Sequence, residues 1–548
     1  MTLTEAELFA RERAKAVNRS VYEWDRLPGL PAFVKGLPKS EEMQGLETER
    51  FMFDLGTSMF EAMMGKIGFA KRLKSKDSLA AYDYLRPYGK KPSVSAVWQR
   101  DTEFARQRLN GVNPLQIRRL DSMPTHLRVT QERVADVLPS GTTLEQMLGD
   151  GRLWICDWPG LVGAPVRLGR FLSAPTALFF TDDHGELHPL AIQLDREGTY
   201  RPESNTTVEP IVFTPSDERW LWLTARTHVQ TADAAWHEMV VHLFRTHLLM
   251  ETVWVAANRG LSPQHPIHRL LTPHFAGTIA INYKARNELI VPGGPIDTSI
   301  SVGTDGAYWL ISQALESFEW NDLDPERDLA DRGVDDRDAL ASYYYRDDAR
   351  VLWREISTFT EELLRAFYPD DASVAEDPEL ADWAHELADP DCGGLAGLPL
   401  KNGRFERFED LHAVVRQVVF NVSCEHSAVN NGQYDIFGCI PNSPGAWFLP
   451  PPTSLAPSSE GEFTYGLPPF KIAEEQITLV HLLSQPTTNH LGDYPPDFFH
   501  EVGAARVAVD RFRARLDQVI TDIRQRNMTL EMPYTYLDPA SVSASIDV

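Results

Sequence analysis

Along most of the chain the hydrophobic positions recur every three to four residues, the period of an amphipathic helix. The segments 231–259, 307–319, 347–367, 405–422 and 499–527 are long and keep this period, and each is predicted to be helical. Residues 1–30 also mix charged and apolar positions at helical spacing and end near Pro28 and Pro31. Residues 45–75 read as a helix with Met and Phe on one side, a pattern that a packed core face explains most simply. Between 165 and 215 the period changes. Short β-like runs, ALFFTDD, LAIQL and PIVFT, are broken by Gly, Asp, Pro and Thr, and a small sheet region is predicted there. Pro and Gly punctuate the helical half at 292–295 and across 441–470, and the second stretch is long for a connection inside a compact domain. No repeat, low-complexity tract or clear linker divides the chain. The expected architecture is a single large, mainly α domain with a small β-sheet region. Residues 1–95 are expected as an N-terminal helical segment packed on, or part of, a body formed by 96–548.

Composition narrows the function classes. The chain has 548 residues, 43% hydrophobic and 24% charged, which suits a soluble globular enzyme. Its formal net charge of −25 repels phosphate backbones, so nucleic acid is not expected as a partner. Nor does that charge attract the chain to anionic membrane surfaces. Cys156, Cys392, Cys424 and Cys439 are scattered and form no CxxC pair, which favours a reducing compartment. The opening MTLTEAELFARERAKAV has no apolar core of the secretory kind, and no run is apolar for long enough to cross a bilayer; a cytoplasmic location is expected.

Candidate chemistry concentrates in WHEMVVHLFRTHLLME, residues 236–251, where His237, His242 and His247 stand five residues apart. On a straight α-helix each residue turns about 100°, so a five-residue step swings about 140° off the face. Two such imidazoles cannot share a metal there. A π-type turn brings positions i and i+5 back to one face, and such turns occur mostly at functional sites. The repeated spacing therefore asks for a locally widened helix. A second cluster, SCEHSAVNNGQYD at 423–435, holds His426 and Asn430 four residues apart, about 40° in projection on an ordinary helix. Several imidazoles with one amide oxygen and a carboxylate favour non-haem iron. A zinc hydrolase would want an open tetrahedral site with a general base beside it, and no HExxH occurs.

The sequence closely resembles the lipoxygenase family. The resemblance is carried by WHEMVVHLFRTHLLMETVWVAANRGLSPQHPIHRLLTPHFAGTIAINYKAR (236–286) and HSAVNNGQYDIFGCIPNSP (426–444). Weaker collinear matches are WQRDTEFARQRLNGVNP (98–114), PLAIQL (189–194), FTPSDERWLWLTARTHVQ (213–230), YYYRDDARVLWREI (343–356) and the closing PYTYLDPASVSASIDV. The resemblance implies a lipoxygenase-type catalytic domain over 96–548 and one non-haem iron per chain, cycling between Fe2+ and Fe3+. Its ligands would be His242, His247, His426, Asn430 and the main-chain carboxylate of Val548, where the family usually ends in isoleucine. His237 matches a histidine beside the metal rather than on it. Gln433 resembles an amide that links the ligand sphere to the substrate pocket.

Further expectations follow from the same resemblance. Leu243, Leu289 and Leu483 match leucines that clamp the reactive carbon. Lys284 and Arg286, in INYKAR, lie where some relatives meet the substrate carboxylate. Ser299 falls at a position where alanine accompanies S products and glycine R products, so a mainly S hydroperoxide is expected. The substrates would be O2 and a polyunsaturated fatty acid of the linoleate or arachidonate class. The alternative is a hydroperoxide isomerase, epoxyalcohol-forming, on the same scaffold. The sequence ahead of the iron motif does not read as a complete N-terminal β-barrel, so a compact form similar to bacterial members is expected. Segment 45–75 is then a candidate for transient contact with a membrane surface. Oligomeric state is not legible.

Overall fold

The computed structural model describes residues 4–42, 78–85, 91–201, 206–486 and 488–546. The predicted helix at 45–75 lies outside the described residues. The first element, α1 (Glu5–Val21), starts at a reciprocal cap in which Thr4 and Glu7 satisfy each other's backbone N–H. A two-stranded ribbon, β1 (Trp24–Asp25) and β2 (Phe33–Val34), follows. After α2 (Asp101–Asn110), strands β3 (Arg118–Arg119), β4 (Leu153–Asp157), β5 (Thr176–Thr181) and β6 (Leu187–Gln193) join a later strand, β9 (Val212–Phe213), in one antiparallel sheet of order β3-β4-β5-β6-β9. Between them, β7 (Thr199–Arg201) and β8 (Thr206–Val208) form a separate hairpin. Every residue of β5 is buried, and Phe179 from β5 packs on Phe104 of α2 at 5.7 Å between ring centres. Apolar runs without alternation are what a strand covered on both faces requires.

The helical half is built around one long rod. It runs as α3 (Arg219–Trp236), a twelve-residue π-helical segment (His237–Leu248) and α4 (Leu249–Gly260). Glu218 caps its start, accepting from the backbone N–H of Trp220 and Leu221 at 3.0 Å each. Around this rod lie α5 (Thr278–Lys284), α6 (Pro295–Ser299), α7 (Gly303–Ser317), α8 (Tyr344–Arg365), α9 (Pro378–Ala388), α10 (Phe408–Phe420), α11 (His426–Asn430), α12 (Gln433–Phe437), α13 (Phe470–Leu483) and α14 (Gly503–Asn527). A second π-helical segment, Asn421–Glu425, joins α10 to α11, and a third, Ala285–Leu289, extends α5. Nearly every residue from Leu221 to Gly260 is buried, and buried polar groups on it such as Arg226 and Asp233 are hydrogen-bonded to other parts of the chain.

The long helices predicted at 307–319, 347–367, 405–422 and 499–527 appear with ends shifted by a few residues, whereas the one predicted at 231–259 begins well earlier, at Arg219. The sheet is larger than its predicted span, because β3 and β4 come from before residue 165. The 441–470 stretch contains a short helix, Glu460–Gly466, capped by Ser459. The four cysteines are all free. Among the described residues no helix is long and apolar enough to cross a membrane.

Candidate metal centre

The π-helical segment brings His242 and His247 to one face, as their five-residue spacing demanded. Their Nε2 atoms lie 3.1 Å apart, and the rings stand nearly perpendicular at 83°. His426 enters from the start of α11, with its ring centre 5.5 Å from that of His242 and 5.1 Å from that of His247. Ligand nitrogens from all three lie within 4.8 Å of one another, and all three side chains are buried.

Neighbouring groups fix where the ring protons sit. Asn282, on α5, uses its Nδ2–H2 group to donate to the His247 carbonyl at 2.8 Å. Its Oδ1 therefore faces His247 Nδ1, at 2.9 Å, as an acceptor. His247 thus carries its proton on Nδ1, and the Nε2 lone pair points inward. His242 Nδ1 donates to the Glu238 carboxylate at 3.4 Å, which turns the His242 Nε2 lone pair inward as well. Burial alone would raise the Glu238 carboxyl, but the adjoining His237 and His242 imidazoles outweigh it and hold it down to about 2. Burial disfavours the imidazolium form at all three histidines. It lowers His242, takes His247 down to about 3, and pushes His426 well below its ordinary value.

These observations test whether a metal fits. Two lone pairs face each other at 3.1 Å, and both ring nitrogens of buried His426 lack any hydrogen-bond partner among the described residues. A shared cation satisfies all three imidazoles at once, and neutral buried nitrogen donors with an amide oxygen suit iron. Asn430 is wholly buried at the end of α11. Its Nδ2 donates to the Leu483 carbonyl at 2.7 Å. Gln433 Nε2 donates to its Oδ1 at 2.8 Å. His237 stands beside the cluster, its Nε2–H donating to the Val429 carbonyl at 2.8 Å. Val548 lies outside the described residues. Within the last described stretch, the Ser543 backbone N–H donates to Ser427 Oγ at 3.1 Å, next in the chain to His426.

Residues 50–535 match the family model for lipoxygenases. The chain belongs to the lipoxygenase family. It is an oxidoreductase of the fatty-acid dioxygenase kind. The chain is 34% identical to the mouse (Mus musculus) polyunsaturated fatty acid lipoxygenase ALOX8 over 98% of its own length and 80% of that protein's. It is 37% identical to human (Homo sapiens) ALOX15B over 82% of this chain and 66% of that one. It is also 34% identical to human hydroperoxide isomerase ALOXE3, over 83% of this chain and 63% of that one. Among solved structures, an anaerobic crystal structure of a lipoxygenase deletion variant in complex with arachidonate superposes with a TM-score of 0.92 at 29% identity, covering 100% of this chain and 82% of that one.

In this lipoxygenase the other predicted positions are distributed as follows. Leu243 follows His242 in the π segment and is buried; Leu289 and Leu483 are partly buried and pack on the main core. Lys284 ends α5, half-buried. Arg286 is buried, and its two terminal nitrogens grip the Glu251 carboxylate at 2.5 and 2.9 Å. Ser299 is buried at the end of α6, with its hydroxyl donating to the Pro295 carbonyl at 2.6 Å. Sequence reasoning missed Glu238 and Asn282. Glu238 had a signal, since it precedes His242 by four residues, the spacing of helix neighbours. Asn282 had none, because its partner lies on a different helix.

Proposed function

We propose that this lipoxygenase inserts O2 into a polyunsaturated fatty acid of the linoleate or arachidonate class and yields a mainly S hydroperoxide. The observation that carries the reading is the buried trio of neutral imidazoles with inward lone pairs, beside an oriented amide. An iron ion held by His242, His247, His426, Asn430 and the Val548 carboxylate would supply the one-electron oxidant that a weak bis-allylic C–H bond needs. The protein's part is orientation and exclusion of water. Asn282 and Glu238 hold the ring protons of His247 and His242 on Nδ1, and Gln433 keeps the Asn430 oxygen turned inward. Leu243, Leu289 and Leu483 supply apolar surface for the pentadiene.

At the carboxylate end the proposed partner is Lys284, half-buried where α5 ends. Arg286 is committed to Glu251, and removing it would leave that buried carboxylate uncompensated. With its hydroxyl tied back to its own helix, Ser299 adds to its surroundings chiefly the bulk of its Cβ. That bulk is closer to alanine than to glycine, which supports an S product.

Hydroperoxide isomerase activity is the second reading, favoured by the likeness to ALOXE3. An oxygen electrode separates the two: linoleate or arachidonate should drive O2 uptake, and chiral chromatography should find mostly S hydroperoxide. Rapid loss of added hydroperoxide with no O2 uptake from free acid would favour the isomerase. Mostly R product would overturn the bulk argument, and Ser299→Gly should move product toward R.

A further inference from the structure

Two contacts tie the histidine-bearing π segment to the helix that carries His426 and Asn430. At one end is the His237 donation to the Val429 carbonyl. At the other, Arg245 Nε donates to the Glu425 carboxylate. The same guanidinium donates to the Asp322 carbonyl at 2.5 Å, and Asn421 Nδ2 donates to the Arg245 carbonyl at 3.4 Å. Arg245 stands in the chain between His242 and His247, and Glu425 immediately precedes His426. Glu425 is 1% exposed, so no water replaces its partner, and Arg245 is the cation that compensates it. Both residues lie in π-helical segments.

A metal site needs its ligands held to within about half an ångström. The His242–His247 distance is set inside one segment. The distance from either of them to His426 is set between segments. A planar guanidinium bonded to a carboxylate on one side and a carbonyl on the other fixes that separation and its angle. We propose that Arg245 and Glu425 are positioning residues, whose ion pair sets the spacing of the two ligand-bearing segments and so the placement of His426 against His242 and His247. This rests on the iron reading above.

The test compares iron release in purified, iron-loaded full-length protein. Arg245→Gln and Glu425→Gln should each speed iron loss to a chelator by about 10- to 100-fold, the usual effect of removing a group that orients metal ligands. Each should also alter the electron paramagnetic resonance line shape of the ferric form. Arg133→Gln breaks an ion pair with Asp217 beside the sheet. It should lower thermal stability yet leave iron release and line shape unchanged. If a glutamine variant fails to accumulate, Arg245→Lys carries the comparison: it keeps the charge but cannot span Glu425 and the Asp322 carbonyl, and should release iron at least about threefold faster. Release within twofold of the parent in the variants, or equal acceleration in Arg133→Gln, overturns the proposal. A parent that never loads iron sinks the metal reading and the proposal with it. A parent that loads iron, with variants that hold it equally well, sinks the proposal alone.

Discussion

Each side chain of the centre has a separable task. Among the described residues His426 has no hydrogen-bond partner, so His426→Ala should remove iron and activity together while lowering thermal stability little in metal-stripped protein. Elemental analysis and a melting curve check this, and a variant that keeps its iron would refute the assignment. Asn282 makes two hydrogen bonds to one histidine. Asn282→Leu leaves a buried carbonyl and a ring N–H unpaired, which costs about 1–3 kcal/mol each. Metal affinity should fall about 10- to 100-fold, read by competition with a chelator of known strength. At the C-terminus the proposed ligand is a main-chain group. Val548→Ile should therefore be nearly silent, whereas one or two residues added after Val548 should abolish turnover. Normal turnover in a C-terminally extended enzyme would remove Val548 from the ligand set.

At the scale of elements, α1 shows how an N-terminal segment is held. Lys15 is fully buried and bonds Asp382 of α9 at 2.7 Å. Arg11 pairs with Glu379 at 2.9 Å. Asn18 and Arg19 donate to the carbonyls of Asn258 and Arg259 at the end of α4, where a helix has no internal donors left. Asp382→Asn should weaken the grip on Lys15 and Arg19 and let α1 loosen. Trypsin should then cut between Arg11 and Arg19 several-fold faster under native conditions; an unchanged rate would show that the other contacts suffice. The elements differ in how far the sequence foretold them. The five-residue histidine spacing identified the first π segment, because side chains of known chemistry had to converge. The second, NVSCE, contains no spaced ligands, and only its packing beside the first reveals it. Strand β4 was missed because its apolar run, LWIC, is too short to show a period.

Over the whole molecule, the clustered histidines are not the only buried ones. Burial lowers His228 to about 3 and His268 and His274 to about 4, from an ordinary value of about 6.5. An unfolded chain takes up protons there that the folded one refuses. Stability is therefore complete above about pH 6.5 and is lost as the pH falls toward 4. A tenfold difference in proton affinity between the folded and unfolded chain is worth about 1.4 kcal/mol, so each of the three should cost roughly 2 kcal/mol by pH 5. The urea midpoint should drop steeply between pH 7 and pH 5, and a flat profile would contradict the burial argument. The fold class, the helical rod and the convergence of His242 and His247 were legible because period and spacing are local. The buried pairs around them, such as Arg286–Glu251 and Arg245–Glu425, were not, because each joins residues far apart in sequence.

The widened stretch of the central rod also bears on how the chain meets metals during synthesis. A π turn is held open by its neighbours and has little stability of its own. Were this stretch an ordinary α-helix, His242 and His247 would point about 140° apart. A stray copper or zinc ion would then meet single imidazoles instead of a chelating pair. The chelating geometry exists only in the folded, widened form, so metal binding there would be linked to folding. Divalent ions that bind nitrogen more tightly than iron does are offered no foothold before the full donor set is in place.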